Sequence, residues 1–198
     1  MTLRRCMLAG VLVLGSASAF AQTQVRFNEY SAKFLCGAVE EKTAAGPVRP
    51  GFYETSINIH NPQLPVGPVP GVPFVMNVTF VKKVVLSLPE GERPIAPSPF
   101  RRDILQSDFA EQVDCKIIRA MLGPAGSAPF IEGFVVLIVF PAPLATPHEL
   151  DVVGVYTVNT PAQSISLELA PITPRVLTFP LAAGKAMQEK MLEQAKPQ

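Results

Sequence analysis

The sequence has no tryptophan, three tyrosines and only two histidines, His60 and His148. Imidazole groups for catalysis or metal binding are therefore scarce, and a carbohydrate groove built on stacked aromatic rings is poorly supplied. Charge is scarce too. Asp, Glu, Lys and Arg make up 17% of the residues with a formal net charge of +1, so there is no electrostatic footprint for nucleic acid or an anionic membrane surface. Helical periodicity is nearly absent before the C-terminal end, which argues against an α/β architecture. Also missing are the G-x-S-x-G and S-x-x-K motifs of activated serines and the close Cys/His pairs of zinc sites. A D-x-D-x-D-G calcium loop is absent as well, as is a histidine beside a cysteine as blue copper requires. On this basis the chain is expected to be non-catalytic and to carry no cofactor.

What the chain does have begins with a leader. Arg4 and Arg5 precede the apolar run "CMLAGVLVLG" (Cys6 to Gly15), and Ala19-Phe20-Ala21 fits the small-x-small rule of a signal peptidase. Residues 1–21 read as a signal peptide cleaved before Gln22, and the apolar run is too short for a transmembrane span of roughly 20 residues. Leu3 and Cys6 fit a twin-arginine pattern poorly, so the general secretory route is expected, to the periplasm or the medium. Cleavage leaves 177 residues with 15 basic and 16 acidic groups, enough for one domain with a single core. All 21 prolines fall in this mature part, where they oppose long helices.

Cleavage also removes Cys6 and leaves Cys36 and Cys115, an even count that reads as one disulfide in an exported chain. The alternative is a pair of free buried thiols. A bond would close a loop of 80 residues, either joining two sheets or pinning strand to strand.

Periodicity of two recurs along the mature chain. Strands are expected at "EYSAKFLCG" (29–37, bounded by Gly37), "FYETSINIH" (52–60), "FVMNVTFVKKVVLSL" (74–88) and "VDCKIIRAML" (113–122). Four more follow at "GFVVLIVF" (133–140), "ELDVVGVYTV" (149–158), "SISLELA" (164–170) and "RVLTFP" (175–180). "GFVVLIVF" is apolar on both faces, as a central strand would be. A short helix is expected near Ser107 to Gln112, capped by Ser107. The Pro/Gly/Val run Pro62 to Pro73 reads as a structural connection, and 181–198 as an amphipathic tail whose Met187, Met191 and Ala195 stripe packs on the body or frays. The pattern predicts an all-β fold, a single immunoglobulin-like β-sandwich of about eight strands over residues 22–180 with a short C-terminal helix.

Four residues are the candidates for ligand or metal binding: His60, His148, Glu149 and Asp151. Alternation puts His60 with Glu54, Ser56 and Asn58 on the polar face of its strand, immediately before an Asn-Pro turn. That position explains His60 without any ligand. Asp151 likewise faces solvent if Leu150, Val152 and Tyr156 face inward.

"FLCG", "PGFYETSINIHNP" from Pro50, "FAEQVDC" before Cys115 and "FIEGFVVLIVFPAPLATPHELDVVGVYTV" from Phe130 together resemble a group of uncharacterised secreted bacterial β-sandwich proteins. In that group a Cys-Gly pair, a Y-x-T-x-I-N-I-H-N-P strand and an E-L-D-V-V-x-V-Y-T strand recur. The resemblance spans about Lys33 to Val158. It implies the sandwich and the disulfide, and no known activity. The expectation is therefore an exported, non-catalytic module that contacts an envelope or extracellular protein through sheet edges and end loops. The alternative is an exported module that binds a small ligand or metal through His60 and His148.

Overall fold

The computed structural model describes residues 24–40, 48–63, 77–88, 92, 95–141, 148–160 and 163–195. The leader with its cleavage residues Ala19, Ala21 and Gln22 lies outside these, as does most of the Pro62–Pro73 run. Among the described residues nine strands form: β1 (Gln24–Val39), β2 (Gly51–His60), β3 (Val78–Leu86), β4 (Arg101–Leu105), β5 (Ala110–Asp114), β6 (Phe130–Val139), β7 (Asp151–Thr160), β8 (Gln163–Pro171) and β9 (Arg175–Pro180). Helix α1 (Cys115–Leu122) runs into a 3-10 turn (Gly123–Ser127), and helix α2 (Leu181–Gln194) follows β9.

All pairings are antiparallel and join the strands into one sheet that folds over on itself as a sandwich. One layer runs β4-β3-β6-β1-β9 and the other β5-β2-β7-β8, with β1 as the corner strand. Its residues Asn28–Gly37 lie along β6, and only Gly37–Val39 reach across to pair with β2 at Tyr53–Gly51. Gly37 therefore does not end the strand; it turns it from one layer to the other. Its φ of +110° and a hypothetical Cβ 1.9 Å from the Pro129 carbonyl leave room for no side chain.

Alternation then assigns the core. Tyr30, Ala32, Phe34 and Cys36 of β1, with Val135, Leu137 and Val139 of β6, meet Ile57 and Ile59 of β2, Val113 of β5 and Val152 of β7 in one buried cluster. The Leu150 amide donates to the Tyr30 hydroxyl (2.8 Å), tying the layers at depth. The other face of β6 is apolar because α2 covers it: Phe27, Val81, Ile138 and Phe140 close around Met191, with Met187 and Ala195 alongside. Gly184 lets the helix approach, since a Cβ there would stand 1.9 Å from the Val25 side chain.

Two expectations are corrected. Residues 113–122 are not one strand, because Asp114 ends β5 and caps α1, its Oδ1 accepting from the Ile117 amide (2.8 Å). Ile118 and Met121 then share the buried side of the helix at a spacing of three. Residues 107–112 are not a helix. Ser107 and Asp108 form a tight turn between β4 and β5, with Asp108 at φ 60°, a left-handed conformation that Asp tolerates. The all-β fold with a C-terminal helix stands, at nine strands.

Cys36 on β1 and Cys115 at the head of α1 are bonded, with a Cα–Cα distance of 5.6 Å, so the disulfide joins the two layers. Beside it the Arg119 guanidinium donates to four backbone carbonyls: Gly126 (2.5 Å), Ala128 (2.7 Å), Cys36 (2.9 Å) and Pro129 (3.3 Å).

Candidate functional site

His60 sits on the outer face of β2 at its last residue, opposite Asp151 in the β2–β7 register. Its Nδ1 lies 3.3 Å from Asp151 Oδ2 and its Nε2 3.4 Å from Asp108 Oδ1. The carboxylates flank opposite nitrogens of the ring and do not converge on a common point. The next residue, Asn61, is the buried one. Its Nδ2 donates to the Leu105 carbonyl (3.2 Å), its amide to the Phe109 carbonyl (3.0 Å), and its own carbonyl accepts from Asp108 (2.9 Å). Asn61 thus fastens the end of β2 to the β4–β5 turn, which positions Asp108 against His60.

His148 is held elsewhere. The Gln63 side-chain amide contacts its Nδ1, and its carbonyl accepts from Asn28 (3.0 Å). Burial holds the His148 imidazole below its ordinary value. Glu149 points to solvent. The structure therefore brings His60 and Asp151 together, and gives His148 a different set of partners. Among the described residues no group of three or more His, Cys, Asp or Glu side chains is arranged to hold a metal ion.

His148 opens instead on a small cleft of about 220 Å³, where it meets Asn77, Thr79, Arg102 and Gln188 over an apolar floor that includes Phe140 and Leu192. Among the described residues no carboxylate lines it. Tyr30 and Tyr156 are both pushed up, first by burial; Tyr156 donates to the Lys33 carbonyl (3.0 Å).

Two features were not anticipated from the residues. The first is Lys82, on the core-facing side of β3, where its side chain is 6% exposed. Its Nζ contacts Glu111 of β5 across the sandwich and stands 2.9 Å from Asp103 Oδ2 on the neighbouring strand β4. A signal for it exists in "FVKKVV": two consecutive lysines inside a strand must place one on each face. The second is the edge of β8. It pairs only with β7, through Val153–Thr160, and among the described residues no strand covers its other side. Over Gln163–Ala170 it contains no proline, lysine or arginine, and its single charge is Glu168. Leu169 is 62% exposed. The other outer strands are shorter or guarded. β4 has five residues including Arg101, Arg102 and Asp103, β5 has five, and β9 has six, beginning at Arg175 and ending at Pro180.

Comparisons with protein-family models, curated proteins and solved structures gave no match. Function must therefore be argued from these sites themselves. Among the described residues no helix is long and apolar enough to cross a membrane.

Proposed function

We propose that this protein is an exported, non-catalytic interaction module that binds an envelope or extracellular protein by accepting an extended segment along the outer edge of β8. The observation that carries the reading is that edge: nine residues of strand, unpaired on one side among the described residues, with neither a lysine nor an internal proline to discourage pairing. A bare edge offers a row of backbone donors and acceptors, which is what strand addition uses for affinity, while alternate side chains supply specificity. Exposed Leu169 lies on the outer face with Val155, its register partner, and provides an apolar contact for the incoming strand. The inter-layer disulfide suits an oxidising compartment and supports export.

The test is a Leu169→Lys variant, which installs the device that natural edges use against pairing. At an exposed position it is expected to alter stability by no more than about 0.5 kcal/mol. Capture of the partner from the native envelope should be lost. Undiminished capture by the folded variant would overturn the reading, and a concentration-dependent dimer lost in the variant would replace the partner by a second copy of this chain.

The His148 cleft supports a second reading, a small anionic ligand held by Arg102, Asn77 and Gln188. It uses His148 without His60 or Asp151, and so differs from a small-ligand or metal site that joins the two histidines. A rise in melting temperature with small carboxylates or phosphate, abolished in Arg102→Ala, would favour it.

A further inference from the structure

The Lys82 cluster has more chemistry in it than an ion pair requires. Two carboxylates face one buried ammonium: the Lys82 side chain is 6% exposed, whereas those of Asp103 and Glu111 are 32% and 26% exposed. Asp103 Oδ2 is fully buried and has no hydrogen-bond partner, although Lys82 Nζ stands 2.9 Å from it. Glu111 Oε1 is the acceptor that Nζ uses. On the core side the neighbours are apolar: Phe80 and Val84 flank Lys82 on the same face of β3, Leu137 is its register partner on β6, and Leu105 and Val113 are buried along β4 and β5; on the other side Asp103 lines an open cleft with Arg101 and Arg102. A lysine, a carboxyl one C–O bond beyond a 2.9 Å contact, and a second carboxylate on the lysine nitrogen make up the groups needed to form an amide.

We propose that Lys82 Nζ and the side-chain carboxyl of Asp103 condense to an intramolecular amide in the folded protein, with Glu111 carrying the protons. Glu111 takes a proton from the Lys82 ammonium and passes it to Asp103 Oδ2. The freed nitrogen lone pair adds to Asp103 Cγ. Glu111 then takes a second proton from that nitrogen and delivers it to the departing oxygen as the C–O bond breaks. One ammonium and one carboxylate become one amide and one water, Glu111 returns to its starting form, and no oxidant, metal or cofactor enters. The product removes the charge of the buried Lys82 nitrogen and releases the Asp103 oxygen that lacks a hydrogen bond. It also welds the short edge strand β4 to β3, because Asp103 sits diagonally across from Lys82 in the register that pairs Phe80 with Asp103 and Lys82 with Arg101. This inference is independent of the function proposed for β8.

The test is the intact mass of the purified, folded full chain. The expected value falls short of the sequence mass, after allowance for the disulfide hydrogens and any leader removal, by one water. Trypsin should fail to cut after Lys82, and a branched peptide should join Lys82 to Asp103. Glu111→Gln and Lys82→Arg should each restore the full mass, and Asp103→Asn should lose ammonia instead of water. Should the variants fail to fold, the wild-type mass decides alone: a folded, disulfide-bonded wild type at its full sequence mass overturns the proposal. A branch that maps to Glu111 overturns the assignment of Asp103 as the acyl donor.

Discussion

Replacing both Cys36 and Cys115 by alanine tests how the two layers are held. The bond closes a loop with a sequence separation of 79 residues between β1 in one layer and the start of α1 beside the other. In the chain-entropy treatment such a loop restricts the unfolded ensemble by about 4.5 kcal/mol. Little offsets this in the folded state, because Gly37, Ala38 and Val39 already pair with β2 next to the bond and hold the corner when it is absent. Folded domains have roughly 5–15 kcal/mol of stability, so the double variant keeps its fold but loses a large share of its margin. For a domain of this size the loss corresponds to a fall of roughly 9–18 °C in melting temperature. Urea titration is the assay. The midpoint should drop while the slope steepens, since a chain without the cross-link exposes more surface on unfolding. A loss below about 1.5 kcal/mol with an unchanged slope would refute the reasoning, by showing that the unfolded chain is not restricted by the bond.

Other substitutions separate structural from peripheral roles. Asn61→Ala should cost about 1–3 kcal/mol, because it strips a buried carbonyl of its donor, whereas His60→Ala should cost no more than about 1 kcal/mol for its exposed pairs; urea titration ranks them. Gly37→Ala should cost more than about 3 kcal/mol or prevent folding, since both the positive φ and the Pro129 carbonyl oppose a side chain, and circular dichroism with thermal melting reports it. His148 supplies a pH test. Its folded-state value lies below its ordinary one, so the unfolded chain binds the extra proton, and the stability it contributes is present above about pH 6.5 and lost as pH falls through the lower folded value. The difference in unfolding free energy between wild type and His148→Asn should therefore rise with pH across that window, and a flat or falling difference would contradict the assignment.

The strands that were legible in the sequence are those whose alternation survives both layers. β2 reads cleanly because its odd residues Thr55, Ile57 and Ile59 are buried while Glu54 and Asn58 are exposed. β6 reads as central because the core covers one face and α2 the other. Failure came where a local signal outweighed period. "VDCKIIRAML" contains Ile117 and Ile118 in succession, which blurs period two and period three alike, and the decisive residue is the capping Asp114. β4 was missed because "RRDIL" is an edge with one buried apolar side chain, Leu105. In "INIHNP" the structural role falls one residue past the histidine: the His60 side chain is partly exposed, and buried Asn61 does the fastening. Tertiary partners explain the rest, since nothing near Lys82 in the chain announces Asp103 or Glu111.

The measurement that bears most directly on the account is site-specific photo-crosslinking in the native envelope, with the photoreactive residue placed at Leu169 on β8 and, as control, at exposed Val176 on β9. The account predicts a single product from position 169, a segment of a partner protein mapped as a run of alternate contacts along the edge, and none from position 176. Equal labelling from both positions, or no product from position 169 under conditions where the protein is folded and exported, would contradict it.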